Sequence, residues 1–216
     1  MTVDELNDPL WRLSNLYMIT DKAGNAVQFV PNEIQIDFIR HMGFRNLILK
    51  ARQLGFSTLI QLMILDQCIF CPNIHAGVIA QDETAAIKIF DDKIKFAWEH
   101  MPAWVHRVRH TVGDSTRELK FDNGSYVRVA TSMRSVGGLL YLHVSEFGKI
   151  CAMFPIKAKE VMTGSLPAVG NEGFVFIEST AEGREGKFFE LVTEAQQRRK
   201  DGTELGPKDF RLHFYA

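Results

Sequence analysis

The chain has 216 residues, of which 46 % are hydrophobic, and a formal charge of −1 at pH 7. That length suits one α/β domain, or one large domain with small appendages, and that apolar fraction supports a sizeable core and excludes a disordered chain. The near-neutral charge excludes a global basic field, so any nucleic-acid contact has to come from a local patch.

The N-terminal stretch, MTVDELNDPL, is acidic and carries no signal-peptide pattern, and no apolar run reaches membrane-spanning length. The expectation is a cytosolic protein without a membrane contact. Residues 4–17 read as an amphipathic helix, with Leu6, Leu10, Leu13 and Leu16 near helical spacing. TDKAGNAVQFVP is turn-rich and leads to a second helix over 32–41. NLILK is a strand-length apolar run that enters a loop at Gly55, after which Ser57 is expected to cap a helix stopping at Pro72. Inside that helix, Cys68 and Cys71 form a C-x-x-C. Core packing is favoured there over zinc or redox chemistry with His75 as a further ligand, because the surrounding pattern is apolar and no second pair exists; Cys151 makes the cysteine count odd.

HAGVIA reads as a second buried strand, and QDETAAIKIFDDKIKFAWEHM as one long helix ending before Pro102. RELKFDNGSYVRVAT reads as a hairpin, with Asn123-Gly124 supplying a type I′ turn. GLLYLHV is a third buried strand ending at Ser145-Glu146, followed by a helix to about residue 162 that Pro155 bends or breaks. GFVFIEST is a fourth strand, GKFFELVTEAQQRRK a helix, DGTELGP a loop and DFRLHFYA a last strand. Strands alternating with helices predict an α/β fold with a mostly parallel sheet and an added β-hairpin.

The stretch LILKARQLGFST, residues 47–58, has the outline of a phosphate-binding loop, G-x-x-x-x-G-K-[ST]. The lysine slot holds Phe56 and the first glycine slot holds Lys50. A triphosphate needs inward backbone N–H groups, a helix N-terminus, a mobile cation and a hydroxyl for magnesium. Ala51, Arg52, Gln53, Leu54 and Gly55 form the loop, and Ser57 supplies the hydroxyl with Thr58 as a spare. Lys50, at the strand's end, is long enough to reach back over the loop, and Arg52 is a second cation. The bland alternative is an ordinary strand–turn–helix with a surface Lys and Arg.

Further along, LLYLHVSEF ends a buried strand at Glu146, placed to act as a catalytic base, while Ser145 occupies the slot where an aspartate would serve magnesium. Gln35, upstream of the loop, has an amide that can read the adenine edge. Ser179, Thr180 and Ala181 follow a buried strand, where small hydroxyl residues can sense the γ-phosphate.

On ARQLGFST, LHVSEFGKI and ESTAEG, from about residue 29 to 215, the sequence resembles the large subunit of tailed-bacteriophage terminase. The resemblance implies a P-loop NTPase of the additional-strand catalytic-glutamate, RecA-like class: a three-layer αβα ATPase that uses ATP and Mg2+ to drive double-stranded viral DNA into a procapsid. Some members carry the lysine at the first position of the loop motif, where Lys50 stands. By the same implication, Gln35 contacts adenine, Lys50 and Arg52 meet the phosphates, Ser57 and Glu146 serve the metal, Glu146 is the catalytic carboxylate, and Ser179 to Ala181 couple hydrolysis to motion. Arg134, in a loop before the Glu146 strand, matches an arginine supplied to a neighbouring subunit, with Arg128 the less favoured alternative. The implied partners are double-stranded DNA, a portal protein, the small terminase subunit and further copies in a pentameric ring, in the host cytoplasm during assembly. Lys157, Lys159 or the hairpin are candidates to line the DNA path. The expected organisation is a single motor domain: an N-terminal extension over 1–28, a nucleotide-binding core over 29–200, and a strand or linker over 201–216 toward a nuclease domain that this chain does not contain. Nuclease activity is therefore not expected. A helicase-like remodelling ATPase and a non-enzymatic scaffold with a degenerate loop are the competing readings.

Overall fold

NLILK, LLYLHV and FVFI are apolar on both strand faces, a pattern that only a sheet covered on both sides can bury. The computed structural model describes residues 2–216. In chain order, α1 (Val3–Asn7) and α2 (Pro9–Leu16) lead into β1 (Met18–Thr20) and β2 (Ala26–Gln28), then α3 (Glu33–His41), β3 (Arg45–Lys50), α4 (Phe56–Phe70) and β4 (His75–Ile79). Next come α5 (Glu83–Ile89), a π-helical segment (Phe90–Lys95), α6 (Phe96–Glu99), α7 (Ala103–Val108), β5 (Thr111–Ser115), β6 (Glu118–Phe121) and β7 (Tyr126–Ala130). The chain closes with β8 (Leu139–Ser145), α8 (Phe147–Met153), α9 (Pro155–Glu160), a second π-helical segment (Val161–Ser165), a short 3-10 turn, β9 (Val169–Ser179), α10 (Gly186–Lys200) and β10 (Arg211–Tyr215).

One large sheet has the order β10-β3-β9-β8-β4-β7-β6-β5, parallel from β10 through β7 and antiparallel beyond. β9 therefore lies between β3 and β8, and the C-terminal ends of all three meet side by side. Alternate residues of these strands feed two cores. Ile48 and Phe176 pack with Leu59, Phe90 and Ile94 on the α4 face, while Leu47, Val144 and Ile177 pack with Ile150, Leu191 and Ala195 on the α8–α10 face. This is a three-layer αβα arrangement with a mostly parallel centre.

Several local expectations change. The helix expected over 4–17 is two helices, because Pro9 starts the second and Asp8 caps it, accepting from Leu10 N–H at 2.9 Å. Part of the turn-rich segment after it pairs as the β1–β2 hairpin. The long helix over 81–101 contains the Phe90–Lys95 π segment. The hairpin turn is not type I′: Gly124 has φ 82°, but Asn123 is not in the left-handed region. Instead Asn123 spends its side chain on the chain around it, donating to Cys68 O and Cys71 O and accepting from Ser125 N–H. Ser57 does not cap α4; Gly55 is the N-cap, with φ 73°, and Ser57 lies in the first turn. Cys68 is fully buried, burial pushes its thiol pKa up, and its Sγ sits 3.5 Å from Tyr126 O, while His75 stacks on the Tyr126 ring, so these side chains act as packing groups.

The N-terminal helices are held to α4 by a buried pair. Arg12 clasps Asp66 through Nε and Nη2, at 2.9 and 2.6 Å, and Tyr17 donates to the same carboxylate at 2.9 Å. Asp66→Ala leaves the guanidinium buried without its partner, and is expected to cost about 3–5 kcal/mol of unfolding free energy in urea titrations; a loss below about 1 kcal/mol would show the pair to behave as a surface pair does.

Candidate active site

Lys50 ends β3 facing the α4 side of the sheet, and its side chain is buried with 6 % exposure. A buried ammonium needs anions. Two strands supply them: Lys50 Nζ lies 3.1 Å from Glu178 Oε2 on β9 and 3.4 Å from Glu146 Oε1 at the end of β8. Burial works against the charged lysine, but the two carboxylates outweigh it and raise its pKa.

Glu178 is fully buried and is the hub of the cluster. Its Oε1 accepts from Ser57 Oγ at 2.6 Å and from Ser145 Oγ at 2.9 Å. Its Oε2 faces Lys50 and accepts no hydrogen bond among the described residues. Beneath it lies His143, with Nε2 3.6 Å from Oε1 and Nδ1 2.5 Å from Gln61 Nε2. Burial pushes the His143 pKa down and keeps the ring neutral; the Gln61 amide donating to Nδ1 places the ring proton on Nε2, toward Glu178. For Glu178, burial opposes ionisation, but His143, Lys50 and Ser57 outweigh it and hold its pKa well below the ordinary carboxylate range. Lys93, in the π segment, is half-buried; burial pushes its pKa down, against the attraction of Glu178.

The loop itself has two left-handed residues, Gln53 at φ 65° and Gly55 at φ 73°. A Cβ on Gly55 would fall 2.7 Å from Gln35 Nε2, so glycine is needed both for backbone conformation and for space. Gln35 completes a capping box with Asn32 and donates to Leu54 O at 3.3 Å, so its amide is engaged with backbone and braces the loop. Phe56, in the lysine slot, is buried between the rings of Phe38 and Tyr215 at 5.5 and 4.9 Å. Ala51, Arg52 and Gln53 are exposed, Leu54 and Thr58 half-buried, and Lys22 donates to the Gln53 side chain.

Glu146 itself is left-handed, φ 53° and ψ 46°, which places its side chain at the mouth, about a third exposed. For a non-glycine residue such a conformation costs on the order of 1–3 kcal/mol and is characteristic of functional sites. Ser179 faces the other side of the sheet, buried, with no hydrogen-bond partner for its Oγ among the described residues; that atom is 2.8 Å from where a Cβ on Gly148 would sit. Thr180 donates to Glu182, and Ala181 is exposed.

The structure thus brings Gln35, Lys50, Gly55, Ser57 and Glu146 together around one loop. Arg134 is elsewhere, on the β7–β8 crossover, with its Nε 2.8 Å from the position of a Cβ on Gly164. Arg128 pairs with Glu118 in the hairpin, and Lys157 donates to Ala80 O and Gln81 O. The sequence reading missed Glu178, His143, Gln61 and Lys93. A carboxylate, an imidazole and an amide inside otherwise apolar runs were the available signal. For Mg2+, a hydroxyl and a carboxylate 2.6 Å apart, one carboxylate oxygen lacking a hydrogen-bond donor, form the kind of hard-oxygen set the ion takes, with phosphate and water completing it.

Lys50→Ala leaves Glu178 buried without its cation and is expected to lower stability by about 3–5 kcal/mol at neutral pH. Adding Glu178→Gln should recover most of that loss in thermal melts. Glu178's depressed pKa means its contribution is present above the unfolded value of about 4.3 and is lost only as pH falls through the lowered folded value. Lys50→Ala relieves part of that depression, so its acid-unfolding midpoint should move to higher pH; an unchanged midpoint would argue against the ion pair.

No family model matches the chain, and no curated protein does. Solved structures do. The large terminase ATPase domain of Thermus phage P74-26 superposes with a TM-score of 0.66 at 18 % identity, covering 87 % of this chain and 82 % of that one. A mutant of that domain gives 0.65 at the same 18 % identity, with the same 87 % and 82 % coverage. At that identity the likeness speaks to architecture: the chain has the αβα fold of a phage large-terminase ATPase domain.

Proposed function

We propose that this chain hydrolyses ATP with Mg2+, as the motor domain of a terminase-type machine that moves double-stranded viral DNA into a procapsid in the host cytoplasm. The observation that carries the reading is the convergence of Lys50, Ser57 and Glu146 at the C-terminal edge of β3 and β8, where the 15-residue helix α4 begins. Crevices outside the carboxyl ends of parallel strands are where α/β sheets bind ligands, and a helix start favours phosphate.

In this reading the Lys50 ammonium turns from its two carboxylates to the β- and γ-phosphates. N–H groups of residues 51–58 surround them, and Arg52 adds charge at the rim. Ser57 holds Mg2+, which when bound neutralises charge developing on the phosphates. Glu146, released from Lys50, accepts a proton from the attacking water as its oxygen bonds to the γ-phosphorus; the bond to the ADP oxygen breaks and ADP leaves. Gln35 serves the adenine side, through contacts that require its amide to exchange a backbone partner. Arg134 is assigned to a neighbouring copy's site in a ring, and Ser179 to Ala181 to coupling. Residues 29–200 form the core of this motor, with 1–28 and 201–216 as its extensions. The portal protein and the small subunit are its expected partners.

Lys50→Ala and Glu146→Gln should each lower ATP turnover by at least about 100-fold, as loss of a charge-stabilising group or a general base does. Equal background turnover in all three proteins would remove the enzyme reading. Arg134→Ala should also be weak alone, and mixing it with Glu146→Gln at assembly concentrations should restore part of the activity; no recovery would exclude an arginine acting between copies.

A further inference from the structure

We propose that Glu178, rather than Glu146, is the carboxylate that shares the metal with Ser57, so that Glu146 is left to handle water. The inference rests on the ATPase reading above and deepens it. A P-loop enzyme holds Mg2+ between the hydroxyl at the helix start and a carboxylate on a neighbouring strand. The usual slot for that carboxylate holds Ser145, whose hydroxyl cannot carry the charge. Ser145 and Glu178 are direct register partners across β8 and β9, so their side chains leave the same face of the sheet. Glu178 therefore stands one strand nearer β3, and the Ser57 hydroxyl donates to it at 2.6 Å. Ser145 supports it with a second hydrogen bond at 2.9 Å.

Charge makes the same point. Glu178 is fully buried, and Lys50 is the cation closest to it, at 3.1 Å from an oxygen that no hydrogen bond satisfies. Whatever draws Lys50 toward phosphate takes the nearest counter-charge from that oxygen, whose sister oxygen accepts from the Ser57 hydroxyl. A divalent cation beside Ser57 restores it. Glu146 is differently built: a third exposed, on a left-handed residue at the mouth, and free of any hydroxyl partner at the helix start. Burial suits the first carboxylate to a metal and exposure suits the second to water.

The test uses Mn2+ as the probe, titrated by EPR into the full chain holding a non-hydrolysable ATP analogue, with nucleotide affinity measured separately in EDTA. Glu178→Gln should weaken Mn2+ at least about tenfold, the range seen when groups tuning a metal site are removed. Its metal-free nucleotide affinity should be unchanged or tighter, since a negative charge near the phosphates has gone. Glu146→Gln should keep Mn2+ affinity while losing turnover. Ser145→Asp placed in the Glu178→Gln background should restore Mn2+ binding, because it returns a carboxylate to the slot beside Ser57. Should Glu178→Gln fail to fold, Glu178→Asp, which keeps the charge but withdraws it by one methylene, should show the same selective loss. Mn2+ affinity retained in Glu178→Gln, or lost in Glu146→Gln instead, overturns the assignment. So does a parallel collapse of metal-free nucleotide binding, which would mark Glu178 as a structural partner of Lys50 alone. A wild-type chain that binds no nucleotide removes the ATPase reading itself, a result distinct from any of these.

Discussion

The structure turns on one buried ammonium. Lys50 is placed by β3 where no water can solvate it fully, so the fold must bring it anions, and it does so from two different strands. This demand fits the topology: a strand inserted between β3 and β8 sets Glu178 beside Lys50, and the end of β8 sets Glu146 on its other side. Two carboxylates share this ammonium, and the half-buried Lys93 is a further cation that Glu178 attracts. Ser57 and Ser145 both donate to the other oxygen of Glu178 and so help to hold its charge in the interior.

Backbone strain and close packing connect this cluster to the rest of the sheet. The last two residues of β9 face opposite ways: Glu178 joins the Lys50 cluster on the α4 side, and Ser179 abuts Gly148 in the first turn of α8. Glu146, held left-handed, is the residue on which β8 turns into that same helix. A shift of Glu146 toward a more relaxed backbone would therefore move the start of α8 against Ser179, and the absence of a side chain on Gly148 is what allows the two to lie so close.

Much of this was legible in the sequence, for physical reasons that also explain the gaps. β3, β4, β8 and β9 are doubly buried, so their apolar runs are long and unambiguous. β1, β2 and β5 are short and have no fully buried residue, and TVGDS has almost no apolar signal of its own. Ser57 looked like a cap because serine often is one; tertiary contact with Glu178 took the hydroxyl away from the backbone, and Gly55 met the conformational need instead. The Asn-Gly pair pointed correctly to a hairpin but not to its turn type, since the asparagine amide found better partners at the end of α4. Glu178 escaped notice because it is read with the hydroxyl residues that follow it, although a charge inside FVFIES cannot be buried without a purpose or a partner.

In the proposed reading, the lysine on β3 and the carboxylate on β9 belong to one arrangement. An ammonium rising from the start of the helix would sit over the loop and face the strand that ends in Ser145-Glu146. An ammonium carried on the last residue of β3 comes instead from the sheet side, where β9 is the adjacent strand. Its shorter ion pair is then with the β9 residue Glu178, at 3.1 Å against 3.4 Å for Glu146. Ser145 on β8 adds no charge beside Glu178 and supplies it with a donor. Phe56, at the first position of α4, is an aromatic ring packed between Phe38 and Tyr215 that anchors the start of the helix beside Lys50.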